Sequence, residues 1–72
     1  MKNIRKELNL LGFNEHGENE YGNNKATIFI VDDKTISIVG EVFGSDDSFI
    51  DVPRLRHIGL DLKKLFKALY IL

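Results

Sequence analysis

Two segments with the composition of β-strands, Ala26–Val31 and Thr35–Phe43, are separated only by Asp32, Asp33 and Lys34. Both segments are rich in β-branched and aromatic residues, which are enriched in strands. Aspartate favours turns because its carboxylate accepts hydrogen bonds from backbone N–H groups further along the chain. The stretch therefore predicts an antiparallel hairpin with the acidic pair in its turn.

The acidic pair also ends an apolar run, as carboxylates of the magnesium pocket do in phosphate-receiver domains. A receiver is a doubly wound, five-stranded fold in which that strand leads into a helix. One βαβ unit takes about 30 residues, so five strands with their helices do not fit into 72 residues. The pattern after Asp33 alternates with period two, as in strands. The turn is therefore favoured over the receiver pocket.

The two faces of the predicted hairpin differ in polarity. One face carries the apolar residues Ile28, Ile30, Ile36, Ile38 and Val42. The other face is mixed, with Phe29, Val31, Ser37, Val39, Glu41 and Phe43. We expect the first face to be buried and the second to be half covered. Gly40, within the second strand, indicates a bulge or the close approach of another element.

A short helix is predicted from Asn3, a suitable N-cap, to Leu11, because apolar residues recur at i, i+4 and i+7. Gly12 follows in the position of a left-handed helix end, with Phe13 folding back towards Leu8. Residues 14–25 are rich in Asn, Gly and Glu, which indicates turns. Within Phe13–Tyr21 the chain forms a short strand around Phe13–His16, a hairpin that pairs this strand with Glu20–Tyr21, or a loop. We favour a short first strand because it leaves less backbone unpaired.

The stretch "GSDDSFIDVP" predicts a turn at Gly44–Asp47, a short strand at Ser48–Val52 and an end at Pro53. Its three aspartates lack the ligand spacing, central Gly and terminal Glu of an EF-hand loop. A weak carboxylate site shared between this loop and the pair Asp32–Asp33 stays open as an alternative.

The last segment predicts a helix that begins at Asp61, a good N-cap, and runs to Leu72. Its stripe of Leu62, Leu65, Phe66 and Leu69 is amphipathic, whereas "ALYIL" is apolar nearly all round. Such an end either plugs the chain's own core or meets a second copy or another protein. The candidate contact residues for an oligomer or partner are Phe66, Leu69, Tyr70, Ile71 and Leu72.

The net charge of −1 is unevenly distributed. Residues 13–52 hold nine carboxylates and two lysines, whereas residues 53–72 hold five cations and one carboxylate. Such asymmetry indicates a binding face, internal complementarity or self-association of unlike faces. A nucleic-acid interface on the basic segment would use Arg54, Arg56, His57, Lys63, Lys64 and Lys67.

The composition argues against several classes of function. The chain has no cysteine and only two distant histidines, so neither a disulfide nor a structural zinc site is expected. No apolar run reaches the roughly 20 residues that span a bilayer, and the charged start is a poor signal peptide. We expect a cytoplasmic protein without cofactor or metal. The bias towards Ile, Lys and Asn is typical of AT-rich bacterial or phage genomes.

The sequence as a whole predicts a single small α+β domain over residues 1–72. It has an N-terminal helix, an antiparallel meander of three strands, or four, and a C-terminal helix, with both helices on one sheet face. The expected core is Ile4, Leu8, Leu11, Ile28, Ile30, Ile36, Ile38, Val42, Leu62, Leu65, Phe66 and Leu69.

We expect this domain to be a non-enzymatic interaction or regulatory module, because so small a chain rarely builds a catalytic cleft by itself. It would bind a protein partner or a second copy, most simply as a homodimer, and its composition fits a phage or mobile-element origin. The alternative is nucleic-acid binding through the basic C-terminal segment.

Overall fold

The computed structural model describes the backbone of residues 3–40 and 44–72, and the side chains of residues 3–40 and 49–72. The elements, in chain order, are α1 (Ile4–Leu10), β1 (Asn14–Gly17), β2 (Glu20–Gly22), β3 (Ala26–Ile30), β4 (Thr35–Gly40), β5 (Gly44–Asp51), α2 (Val52–His57) and α3 (Leu62–Ala68). The strands form one antiparallel sheet in the order β1-β2-β3-β4-β5.

The predicted α+β class is confirmed, but the sheet has five strands where the sequence predicted three or four. The extra strands come from the Asn- and Gly-rich region, in which β1 and β2 pair as a hairpin and β2 continues the ladder onto β3. This pairing satisfies backbone groups that a loop of a dozen residues would leave to solvent.

The hairpin predicted around the acidic pair is confirmed. The Asp32 carboxylate accepts hydrogen bonds from the backbone N–H groups of Lys34 and Thr35, each at 2.8 Å. Strands β3 and β4 then pair in a continuous register from Ile30 opposite Ile36 to Ala26 opposite Gly40. The aspartate therefore acts as a turn residue.

Gly40 has the close approach that the sequence indicated. A Cβ added there would lie 3.0 Å from the Lys25 carbonyl oxygen and 3.3 Å from the Ala26 Cβ. The pairing with β5 also shifts register between Ile38 and Gly40. The predicted turn at Gly44–Asp47 is wrong, because β5 already begins at Gly44. The predicted core residue Val42 lies outside the described residues.

One apolar cluster lies between the sheet and the helices. Of the predicted core, seven residues are buried and four more pack partly buried against the cluster: Ile4, Leu8, Ile28, Ile36, Ile38, Leu62 and Phe66, then Leu11, Ile30, Leu65 and Leu69. The sequence did not predict burial of Phe13, Tyr21, Ala26, Val52 and Ile71. Phe13 and Phe66 meet edge to face at 5.4 Å between ring centroids, which joins the end of α1 to α3.

Helix α2 was not predicted, because Pro53 indicated only the end of a strand. The Asp51 carboxylate caps it by accepting from the Arg54 N–H at 3.2 Å, and Pro53 lies in its first turn. Proline is tolerated there because the first N–H groups of a helix have no intrahelical partner. The predicted strand over Ser48–Val52 is therefore wrong at its end, because β5 stops at Asp51, and Val52 and Pro53 begin the helix.

All three helices end in the same backbone motif. In each, the second residue after the C-cap donates its N–H to the carbonyl three residues before that cap: Phe13 to Leu8, Leu60 to Leu55, and Ile71 to Phe66, at 3.0–3.1 Å. The predicted end of α1 at Gly12, with Phe13 returning to Leu8, is confirmed. The prediction of one helix up to Leu72 is wrong, because α3 ends at Ala68 and Tyr70 adopts a φ of 59°.

Candidate functional site

The side of the sheet away from the helices carries a row of residues in direct register across four strands. Glu20 lies opposite Phe29, Phe29 opposite Ser37, and Ser37 opposite Phe49. Directly opposed residues of antiparallel strands project to the same face, and the neighbouring Ile28, Ile36 and Ile38 project into the core. We call this side, with Phe29, Val31, Val39 and Phe49, the open face.

The open face exposes apolar side chains that no described helix covers. Phe29 is 39% exposed, Val31 53% and Phe49 64%. Ser37, between the two phenylalanines, is only 5% exposed. Because the phenylalanines lie two strands apart, their Cα atoms are about 10 Å apart. The result is an apolar surface with an exposed aromatic residue on each side of a covered serine, of the kind that marks interaction sites.

The charged residues that the register places on the described part of this face are acidic. Glu20 adjoins Phe29 in the row, and Asp51 lies opposite Thr35, two residues along from Phe49. An apolar surface with carboxylates at its rim binds favourably to an apolar surface with cations at its rim, whereas like charges across an interface repel each other. The open face is therefore complementary to an apolar surface with lysine or arginine at its rim.

The five candidate contact residues at the end of the chain do not form one exposed patch. Phe66 and Ile71 are buried, while Leu69 and Leu72 pack partly buried against the same core. The segment is held to the β2–β3 loop, where Asn23 Nδ2 donates to the Ile71 carbonyl at 2.7 Å. Tyr70, at 80% exposed, is the member of the set that stays accessible. Except for Tyr70, these residues pack into or against the chain's own core.

The six residues predicted for a nucleic-acid interface are brought onto α2 and α3. Arg54, His57, Lys63, Lys64 and Lys67 are exposed. Arg56 differs from the others, because its guanidinium forms an ion pair with the Glu7 carboxylate on α1. The structure therefore leaves five of the six predicted side chains facing solvent.

A cleft of about 530 Å³ lies between the start of α1, the Asp32 turn and the start of α2. Its two arginines are already bound: Arg56 to Glu7, and Arg5 to the Glu18 carbonyl and to Asn19 Oδ1, the last at 2.6 Å. The Asp32 carboxylate is engaged in hydrogen bonds within its turn. The bond from the Lys34 N–H, and after it the bond from the Thr35 N–H, hold the pKa of this carboxyl below the usual value of 3.8. The two arginines and Asp32 of this cleft therefore already have partners within the fold.

Within the side chains described, no group of three or more His, Asp or Glu is placed to hold a metal ion. None of the helices described is long and apolar enough to cross a membrane. Comparisons of the chain with models of protein families, with curated proteins and with solved structures found no match.

The sequence carried part of the signal for the open face. Alternation placed Phe29, Val31, Ser37 and Val39 together on the mixed face, as observed. It did not show that Phe49 completes the row, because the pairing of β4 with β5 depends on the connection between them and on the irregular register near Gly40.

Proposed function

We propose that the protein is a non-enzymatic binding module that recognises another protein through the open face of its sheet. The observation that supports this proposal is the registered row Phe29–Ser37–Phe49, with both rings exposed and the serine covered. Aromatic residues are enriched at the cores of protein interfaces, where they bury a large area with few rotatable bonds. We also propose that the protein is cytoplasmic and comes from a bacterium or a phage, because its composition fits both.

The acidic rim selects among possible occupants. If two copies met open face to open face about a two-fold axis, each would bring Glu20 and Asp51 towards an equally acidic surface. That repulsion is absent when the partner carries lysine or arginine around an apolar centre. We therefore propose that the open face binds a different protein, whose apolar patch is surrounded by lysine or arginine. The test below also detects binding of a second copy of this chain.

The test captures the partner and then measures its affinity. The chain is immobilised and exposed to a lysate of the organism that encodes it, and the captured protein is purified and titrated against the chain. The face variant carries Phe29→Thr and Phe49→Thr, because threonine keeps strand propensity and removes the rings. The matched control is Leu10→Gln, which removes a 77% exposed leucine from α1.

We expect the face variant to bind at least tenfold more weakly and the Leu10→Gln control to bind like the original chain. Circular dichroism and thermal melting should show that both variants fold. Equal binding by the face variant contradicts the proposal. Capture of nucleic acid that is lost on Lys63→Glu and Lys64→Glu also contradicts it, and would show that the chain binds nucleic acid through α3. Recovery of the same chain alone contradicts it as well, and would show self-association.

A further inference from the structure

The two edges of the sheet differ in length. Strand β1, at one edge, has four residues, all exposed, and its register is irregular between Glu15 and Gly17. Strand β5, at the other edge, has eight residues. Its pairs with β4 run without interruption from Ser48 to Asp51, and the register shifts beyond them, between Ile38 and Gly40 of β4. Short edges resist the addition of another strand, whereas a longer run of regularly paired residues offers unpaired backbone groups for it.

The hydrogen bonds show which groups of β5 point outward. The Val52 N–H donates to the Lys34 carbonyl at 2.8 Å, so this pair lies in the ladder towards β4. The direction of backbone groups alternates along a strand, so Ile50 and Ser48 also face β4, and Phe49 and Asp51 direct their N–H groups to the outer edge. Phe49 therefore has both an unpaired backbone N–H at the outer edge and an exposed ring.

The charge of β5 opposes its pairing with a second copy. Three of its eight residues are aspartates, and it has no lysine, arginine or proline. Two copies of β5 paired edge to edge would therefore bring only acidic charges together. Like charges directly opposite each other destabilise a strand pair, while opposite charges stabilise it.

We infer that the partner of the proposed function presents an extended basic segment, which adds to β5 as a sixth strand. In antiparallel pairing, the residues opposite Asp51 and Phe49 lie two positions apart along that segment. The segment therefore carries Lys or Arg opposite Asp51, any residue next, and then an apolar residue opposite Phe49. Backbone hydrogen bonds supply affinity, and the alternate side chains supply specificity on the open face.

The test selects binders from a display library of random ten-residue peptides against the whole chain. The chain is short enough for chemical synthesis, so Phe49 can be replaced by N-methyl-phenylalanine, which removes the outward N–H and keeps the ring. A second variant, Asp51→Asn, removes the charge but keeps an oxygen that caps α2. Leu10→Gln is again the control.

We expect selected peptides to show a cation and an apolar residue two positions apart. Their binding should weaken tenfold or more on N-methylation of Phe49, and several-fold on Asp51→Asn, but stay unchanged in Leu10→Gln. The inference is overturned if no peptide is enriched, if enriched peptides are acidic or proline-rich, or if N-methylation leaves binding unchanged. In that last case, loss of binding in the Phe29→Thr/Phe49→Thr variant would still support the proposed function.

Discussion

Arg56 of α2 and Glu7 of α1 form an ion pair whose side chains are 27% and 15% exposed, respectively. The two residues are 49 positions apart in the chain. The pair fixes the helix that follows the sheet against the helix that precedes it. The pair also leaves Arg56, which the sequence assigned to a nucleic-acid interface, only partly accessible to solvent.

We predict that this pair contributes measurably to stability. A double-mutant cycle with Glu7→Gln and Arg56→Gln should give a coupling of about 1 kcal/mol in the free energy of unfolding, the upper range for pairs with some solvent contact. Urea denaturation measures it, and high salt should reduce it because the pair is partly screened. Lys63→Gln, on an exposed site, should change stability by less than about 0.5 kcal/mol. A coupling near zero would contradict the prediction.

Tyr70 occupies a left-handed position that glycine fills in the other two helix ends, at Gly12 and Gly59. A side chain in this conformation costs about 1–2 kcal/mol, and Tyr70 is 80% exposed, so its ring recovers little by burial. We expect Tyr70→Gly to raise the free energy of unfolding by about 1 kcal/mol and Tm by roughly 4–8 °C.

Tyr70→Ala is the control for that experiment, because alanine retains the Cβ that causes the strain. It should not reproduce the gain seen by thermal denaturation. If Tyr70→Gly lowers stability instead, the tyrosine ring contributes more to the folded state than its exposure indicates.

Gly40 has no room for a side chain. In Gly40→Ala, the new Cβ would lie 3.0 Å from the Lys25 carbonyl oxygen, a backbone atom that cannot rotate away. We expect a loss of about 1–3 kcal/mol in unfolding free energy, as for overpacked sites. In Gly17→Ala the nearest atom, the Glu20 Cβ, is 3.8 Å away, which is ordinary contact, so this variant should be nearly neutral by denaturant titration. Equal losses in both variants would show that strand propensity, not the close approach, sets the cost.

We expect Asp32 to make the free energy of unfolding depend on pH in the acidic range. Its folded pKa lies below 3.8, first because of the hydrogen bond from the Lys34 N–H. A lowered carboxyl pKa contributes stability that is complete above the unfolded pKa and is lost as pH falls through the folded pKa. Below about pH 4, the original chain should therefore lose stability more steeply than Asp32→Asn, which cannot titrate. The same slope in both would contradict this, and NMR titration of the Asp32 side chain measures the pKa directly.

The sequence could predict the elements whose signals are local. The β3–β4 hairpin is encoded by two β-branched runs around a turn of aspartates. The end of α1 is encoded by Gly12 with Phe13 behind it, a pattern confirmed down to the hydrogen bond with Leu8. These features depend on a few neighbouring residues, so periodicity and turn chemistry suffice to find them.

Other elements depend on competition between signals. At Asp51–Pro53, strand-ending and helix-starting patterns coincide, and the strand end alone was predicted. The end of α3 carries no glycine, so nothing in "ALYIL" marked Tyr70 as the place where the helix stops. The open face depends on the register of Ser37 with Phe49, which is a tertiary property that a single sequence does not specify.

The irregular, four-residue edge at β1 has a consequence for stoichiometry. A sheet that accepted strands at both edges could propagate from molecule to molecule without limit. Here β5 has eight residues and β1 only four, so each molecule has one edge long enough to add a strand, and that edge is occupied once a strand has been added. Titration of the partner should therefore saturate at one segment per chain, and the complex should stay small at any concentration.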